Sequence, residues 1–169
     1  MSPRRLQVAV AGPGEATPDV LALAREVGRL LAEAGVAVIT GGLGGVMAAA
    51  AEGAAAARGL SIGLLPGSDR AAGNPHSTVL IPTGLGELRN GLLVRAADGL
   101  IAVGGSWGTL SEIALATRAE VPMVCLAGWS VRAEDGSPQP LNTATSPAAA
   151  VALVIELVRA RLDRIATPD

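Results

Sequence analysis

The sequence contains no lysine, so all thirteen of its basic residues are arginine. Schiff-base and pyridoxal-phosphate enzymes need a lysine amine, and a Walker-type phosphate loop needs the lysine of its GK[ST] motif. The composition therefore excludes each of these chemistries.

Aromatic residues, cysteine and histidine are almost as scarce as lysine. The chain has no Phe or Tyr, two Trp, and one each of cysteine and histidine, Cys125 and His76. One cysteine cannot close a disulfide within the chain, and one histidine cannot build a multi-histidine metal site, so we expect no metal. With a net charge of −2 and almost no rings to stack on bases, nucleic acid is not an expected partner.

Long hydrophobic runs are also missing. No apolar stretch approaches the roughly 20 residues of a membrane-spanning helix. The apolar run that follows Arg4 and Arg5 ends at Ala11 and is too short for a secretory signal. The sequence therefore predicts a cytoplasmic protein with no membrane partner.

Short apolar strands alternate with amphipathic helices along the chain. This order predicts a single α/β domain over residues 1–169, with a Rossmann-like three-layer α/β/α architecture and a mostly parallel sheet. Proline and glycine content predicts an irregular connection over residues 128–146. The predicted strands cover residues 6–11, 36–40, 60–65, 79–81, 100–103 and 122–127, and the predicted helices cover residues 18–34, 46–58, 85–97, 110–119 and 147–165.

The stretch 97–116, ADGLIAVGGSWGTLSEIALA, carries the strongest functional signal. A buried strand runs into an almost side-chain-free loop over residues 104–109, and a helix follows it. Backbone N–H groups and the positive end of the helix dipole converge at such a turn, which favours a phosphate. Glu112 is predicted in the first helical turn, where an acid also simply complements the dipole.

Glycine-rich turns also follow the first and second predicted strands, at Gly12 and at Gly41–Gly45. In a parallel sheet these turns and the loop at 104–109 lie on the same rim, where ligands bind at the switch in strand order. G-x-G-x-x-G is absent and Thr40 stands where a ribose-binding acid would be, so a standard NAD site is not expected.

These motifs together resemble the LOG-type phosphoribohydrolase family, closest to its small branch related to molybdenum-cofactor carrier proteins. The family's P-G-G-x-G-T-x-x-E signature falls on residues 104–112, and its glycine turn followed by Gly-hydrophobic-Met falls on Gly41-Gly42 and Gly45-Val46-Met47. The family's helical arginine falls on Arg89, nine positions before Asp98. The chain departs from the pattern at Gly104, Ser106 and Asn90, where the family has proline, glycine and usually lysine.

The resemblance implies hydrolysis of a nucleoside 5′-monophosphate, such as AMP, to free base and ribose 5-phosphate, without a cofactor. It implies catalytic roles for Glu112, which would stabilise an oxocarbenium-like transition state or orient water, and for Arg89. The alternative is a non-catalytic carrier or sensor that binds a nucleotide or the molybdenum cofactor. The residues implied in phosphate or nucleotide binding are Gly12, Gly41, Gly42, Gly45, Met47, Gly104, Gly105, Ser106, Trp107, Gly108 and Thr109.

Some of these residues also have simpler interpretations. Arg89 could form a salt bridge with Glu87 or Asp98, and Met47 could belong to the core. Trp107 could cover a bound base or lie in a subunit interface. Surplus apolar surface on the helices at 86–97 and 147–165, together with the family's habit, predicts a homodimer with its site near the interface.

Overall fold

The computed structural model describes residues 4–166, which form a seven-stranded, all-parallel sheet in the order β4-β3-β2-β1-β5-β6-β7. The predicted Rossmann-like α/β class is confirmed, and residues 1–3 and 167–169 of the predicted domain lie outside the described residues. The strands are β1 (Gln7–Ala11), β2 (Ala37–Thr40), β3 (Ser61–Leu65), β4 (Val79–Pro82), β5 (Gly99–Val103), β6 (Met123–Leu126) and β7 (Thr143–Ala144).

Helices cover both faces of this sheet, which explains the nearly continuous apolar strands. One core lies beneath α1, α2 and α5, and a second lies beneath α3 and α4. No helix within residues 4–166 is long and apolar enough to cross a bilayer. The helices are α1 (Pro18–Glu33), α2 (Gly45–Ala56), α3 (Arg89–Ala96), α4 (Trp107–Arg118) and α5 (Pro147–Ala166).

Strand β7 corrects the prediction of an irregular connection over residues 128–146. Only Thr143 and Ala144 pair with β6, which is too short a run to show an alternating pattern. The backbone N–H of Cys125 also donates to the carbonyl of Asn142 at 2.8 Å, and an isolated bridge joins Arg132 to Pro138. Backbone pairing therefore orders much of this connection.

The predicted helix over residues 85–97 is shorter in the structure. A 3-10 turn covers Gly86–Leu88, and α3 begins only at Arg89. Gly84 and Gly86 both have positive φ, of 67° and 56°, which a continuous right-handed helix does not allow. The turn places Arg89 at the start of α3, on the side of the sheet that carries the glycine-rich loops.

Helix α4 begins at Trp107, three residues earlier than predicted. The side chain of Ser106 is its N-cap and accepts a hydrogen bond from the backbone N–H of Thr109 at 3.2 Å. Trp107, Gly108 and Thr109 therefore belong to the helix instead of the loop. Glu112 lies in the second helical turn, which corrects its predicted place in the first turn.

Two glycines let α1 and α2 approach closely. A Cβ added to Gly28 would lie 2.0 Å from the carbonyl oxygen of Ala50, and one added to Gly53 would lie 1.8 Å from that of Arg25. Both contacts involve backbone atoms, which cannot move aside by changing a rotamer. Glycine at these positions therefore sets the spacing of the two helices that cover β1 and β2.

We expect Gly53→Ala to lower the free energy of unfolding by about 1–3 kcal/mol, because the new methyl group overpacks the contact between α1 and α2. Gly91→Ala is a matched control, since Gly91 is also helical and an added Cβ meets nothing within 4 Å. The control should be neutral or slightly stabilising. Denaturant melts of both variants measure the difference, and equal stabilities would contradict this account of the interface.

Candidate functional site

A cavity of about 850 Å³ opens where the strand order reverses, between the carboxyl ends of β1 and β5. This is where open parallel sheets bind ligands. The loops after β1 and β2, Pro66 after β3, and the starts of α3 and α4 line it. The predicted site residues that line the cavity are Gly12, Gly41, Met47, Arg89, Ser106, Trp107, Gly108, Thr109 and Glu112.

The four other predicted residues, Gly42, Gly45, Gly104 and Gly105, do not line the cavity but shape its loops. The first three have positive φ, of 76°, 60° and 69°, which glycine adopts without strain. An added Cβ on Gly105 would lie 2.5 Å from the indole nitrogen of Trp129. We therefore infer that these four glycines shape the backbone of the turns and do not contact the ligand.

The N-terminus of α4 lines the cavity, and one of its first three backbone N–H groups already donates a hydrogen bond. Ser106 accepts from the amide of Thr109, and the hydroxyl groups of the two residues lie 2.9 Å apart. The amides of Trp107 and Gly108 have no acceptor within residues 4–166. Ser106 thus leaves two helical N–H groups for an anion, whereas glycine would leave three.

Arg89 and Glu112 form a buried pair at the cavity wall. An Nη atom of Arg89 lies 3.9 Å from a carboxylate oxygen of Glu112, and both residues are over 90% buried. Gly41 makes room for the guanidinium, since a Cβ there would lie 2.3 Å from that Nη atom. The buried Nε of Arg89 has no hydrogen-bond partner in the described chain, so the guanidinium at the cavity wall is not fully hydrogen-bonded.

The predicted alternative partners of Arg89 are engaged elsewhere or too distant for an ion pair. Asp98 accepts hydrogen bonds from the side chain of Arg4 and from the backbone N–H of Gln7. Arg89 lies instead beside Glu112. Met47 belongs both to the cavity wall and to the buried interior.

Burial sets the protonation of this pair. Loss of water raises the pKa of Glu112 to about 7, and the charge of Arg89 offsets only part of that effect. Burial also lowers the pKa of Arg89 from its usual value, against the pull of Glu112, although a guanidinium stays charged near neutral pH. Near pH 7 a fraction of Glu112 is therefore neutral, and in that fraction the Arg89–Glu112 pair carries a net positive charge.

We expect Glu112 to make stability depend on pH. Its carboxyl has a pKa of about 7 when folded and near 4.5 when unfolded, so the folded chain holds its proton to higher pH. The contribution of Glu112 to the free energy of unfolding is fully present below about pH 4.5 and is lost as the pH rises through about 7. The loss amounts to up to about 3 kcal/mol.

Denaturant melts between pH 4 and pH 8 measure this contribution as the difference between wild type and Glu112→Gln. Glutamine keeps the shape of the side chain but does not ionise, so the variant should lose less stability across the window. The same change at exposed Glu15 is the control. Parallel curves for wild type and Glu112→Gln would contradict the assignment.

Asn74 holds the turn after β2 in place and was missed from the sequence. Its backbone N–H donates to the carbonyl of Gly42 at 2.9 Å, and its side-chain amide donates to that of Leu43 at 3.2 Å. Its own oxygen accepts from the N–H groups of His76 and Ser77. In a trans peptide the N–H points opposite to the C=O. Because the carbonyls of Gly42 and Leu43 point toward Asn74, the N–H groups of the next residues point away from it.

Asn90, a departure from the family pattern, joins the two helices at the cavity. Its side-chain amide donates to the hydroxyl of Ser111 at 3.0 Å, linking α3 to α4, and both residues line the cavity. Among residues 4–166 no three His, Cys, Asp or Glu side chains are grouped so as to hold a metal ion. The polar side chains that line the cavity are those of Glu87, Arg89, Asn90, Ser106, Thr109, Ser111 and Glu112, beside backbone amides.

The two tryptophans of the chain contact each other beside the cavity. The ring centroids of Trp107 and Trp129 are 5.5 Å apart, with the planes tilted by 41°. Trp107 lines the cavity and is 77% exposed, whereas Trp129 packs against the core beneath α4. Trp129 was not singled out from the sequence, although the scarcity of aromatic residues was a signal that could have found it.

This fold and this cavity define a Rossmann-like α/β protein with a ligand-sized site at the switch in strand order. The model of the SLOG cluster4 family matches residues 5–153, and the chain belongs to that family. The predicted resemblance to a small branch of LOG-type proteins is thereby confirmed.

Known proteins similar to this chain support the same placement. The molybdenum cofactor binding protein of the phototrophic bacterium Rippkaea orientalis is 35% identical, with a TM-score of 0.81 over 95% of this chain and 99% of that one. The molybdenum cofactor carrier protein of Chlamydomonas reinhardtii is 31% identical, with a TM-score of 0.80 over 92% and 99%. A protein of Archaeoglobus fulgidus is 42% identical over 113 residues, covering 67% of this chain and 74% of the relative.

Proposed function

We propose that the cavity binds a phosphate-bearing small molecule and holds it without chemical change. The observation that carries this proposal is the cationic side chain of Arg89 at the cavity wall, whose guanidinium lies 3.9 Å from Glu112 and has an Nε without a partner in the described chain. The free amides of Trp107 and Gly108 at the start of α4 supply a second set of donors in the same cavity. Donors of both kinds suit the phosphate group of a ligand.

Among phosphate-bearing ligands, we propose the molybdenum cofactor as the cargo of this cavity. The cofactor carries a terminal phosphate and a pterin with a flat aminopyrimidinone ring, so one molecule supplies both an anionic group and a ring. The relatives that bind or carry it match this chain over nearly their whole length. The cavity, of about 850 Å³, lies within the roughly 300–1,000 Å³ usual for small-molecule sites.

Retention of the cofactor tests this proposal. The protein is incubated without oxygen with cofactor released from a molybdoenzyme, then separated by gel filtration, and molybdenum and pterin are measured in the protein peak. We expect both to coelute with wild type. Arg89→Met should bind at least about tenfold more weakly, because it removes a charged donor while keeping most of the side-chain volume.

Arg95→Met is the matched control, since Arg95 is an exposed arginine on the same helix α3. It should retain cofactor like wild type. Cofactor that elutes apart from wild type, or that binds equally well to Arg89→Met, would contradict the proposal.

The second candidate function is hydrolysis of a nucleoside monophosphate such as AMP. The paired Arg89 and Glu112 favour it, because a carboxyl with a pKa of about 7 can exchange protons near neutral pH. Water would attack the anomeric carbon and lose a proton to the carboxylate of Glu112, and the base would leave with the electrons of the glycosidic bond and take up one proton. Release of free base from AMP by wild type, but not by Glu112→Gln, would replace the carrier proposal with this one.

We also propose a homodimer that buries the apolar edge of α3. Leu88 and Leu92 are exposed there, and Leu115 is exposed on the neighbouring helix α4. A second copy of this chain is the occupant that we propose for this exposed apolar face. Light scattering should give twice the mass of the chain for wild type and for Ile165→Glu on α5, and the monomer mass for Leu88→Glu.

A further inference from the structure

The aromatic residues of this protein are concentrated at one place. The sequence has no Phe or Tyr, and its two Trp, far apart along the chain, contact each other at the cavity. The buried apolar core consists of aliphatic side chains, methionine and cysteine, and the partly buried Trp129 packs against it. Trp107, which belongs to neither core cluster, is therefore not needed to fill the interior.

The position of Trp107 relative to the α4 amides suits a ligand with two distinct parts. Trp107 is the first residue of α4, so its side chain lies beside the N–H groups that suit a phosphate. It is 77% exposed and lines the cavity, so a ring of the ligand can reach it. A phosphate on the amides and a flat ring on the indole fit one elongated molecule.

Trp129 supports Trp107 from the protein side at a cost in stability. Its indole N–H is buried and has no partner within the described chain. It lies against Gly105, where an added Cβ would be only 2.5 Å from the nitrogen. A buried donor without an acceptor destabilises a fold, and an aliphatic residue would fill the same space without that penalty.

We propose that Trp107 is a stacking surface for a flat heteroaromatic ring of the ligand and that Trp129 is a positioning residue that holds it. Offset stacking between an indole and a heterocycle tolerates different ring systems. It is strong enough for ring-bearing phosphates to bind more tightly than free phosphate. This inference rests on the proposed function, because it takes the ligand's phosphate to lie at the start of α4.

The test compares two probes on the same variants. Binding of the molybdenum cofactor, and of GMP as a stable phosphate that carries the same aminopyrimidinone ring, is compared with binding of inorganic phosphate. We expect Trp107→Leu to weaken the ring-bearing ligands roughly tenfold and to leave inorganic phosphate unchanged. Ile165→Ala, another exposed apolar side chain, is the control and should change neither.

Trp129 is tested by rescue. Trp129→Ala should weaken the ring-bearing ligands while inorganic phosphate still binds. Trp129→Phe, which keeps a supporting ring and removes the unpartnered N–H, should restore their affinity. A merely structural role predicts equal losses for phosphate and for ring-bearing ligands in Trp129→Ala.

Intrinsic fluorescence reports on the pair directly, because both tryptophans of the chain belong to it. In Trp129→Phe the emission comes from Trp107 alone and should be quenched by the ring-bearing ligands but not by phosphate. Thermal melts confirm that each variant is folded, and Trp107→Phe, with a smaller ring, should show an intermediate loss of affinity.

Several outcomes overturn this inference, and they differ from failure of the proposed function. If wild type binds a ring-bearing ligand and Trp107→Leu binds it equally well, the stacking surface is wrong while the binding function stands. If emission depends on protein concentration and Trp107→Leu is monomeric with unchanged affinity, Trp107 belongs to a subunit interface. If wild type binds no ring-bearing ligand, the proposed function and this inference fail together.

Discussion

Parallel pairing of the strands is the constraint on which the site depends. Every strand runs in the same direction, so the loops after β1, β2 and β5 all leave the sheet at one rim. The order reverses beside β1, because the chain fills one side with β2 to β4 and then returns to place β5 on the other. Neighbouring crossovers diverge at this point and leave the space that becomes the cavity.

Burial then gives the cavity its chemistry. Arg89 and Glu112 are buried side by side. Burial raises the free-energy cost of an ion, and of a polar group without a hydrogen-bond partner, above its value at the surface. At 3.9 Å the pair is too long for a direct hydrogen bond, so neither charge is fully satisfied. A bound anion would supply the missing partner of Arg89, and a protonated Glu112 would not repel it.

Strands β1 to β6 and the five helices followed from hydrophobic periodicity, whereas β7 did not, and three glycine-rich loops on one rim followed from their position after strands. The start of α4 did not, because Ser106 had no visible role until its hydroxyl was seen to cap the helix. The contacts of Asn74 and Trp129 also escaped prediction, since they join segments far apart in sequence. Periodicity describes neighbours along the chain and says nothing about such long-range contacts.

The central claim is that the start of α4 and Arg89 together hold the anionic end of an intact ligand. A crystal structure of the protein with the molybdenum cofactor tests it most directly. We predict density for the phosphate within hydrogen-bond distance of the amides of Trp107 and Gly108, with Arg89 facing the ligand and the cofactor uncleaved. A phosphate bound away from α4, or a cofactor seated outside the cavity, would contradict the account.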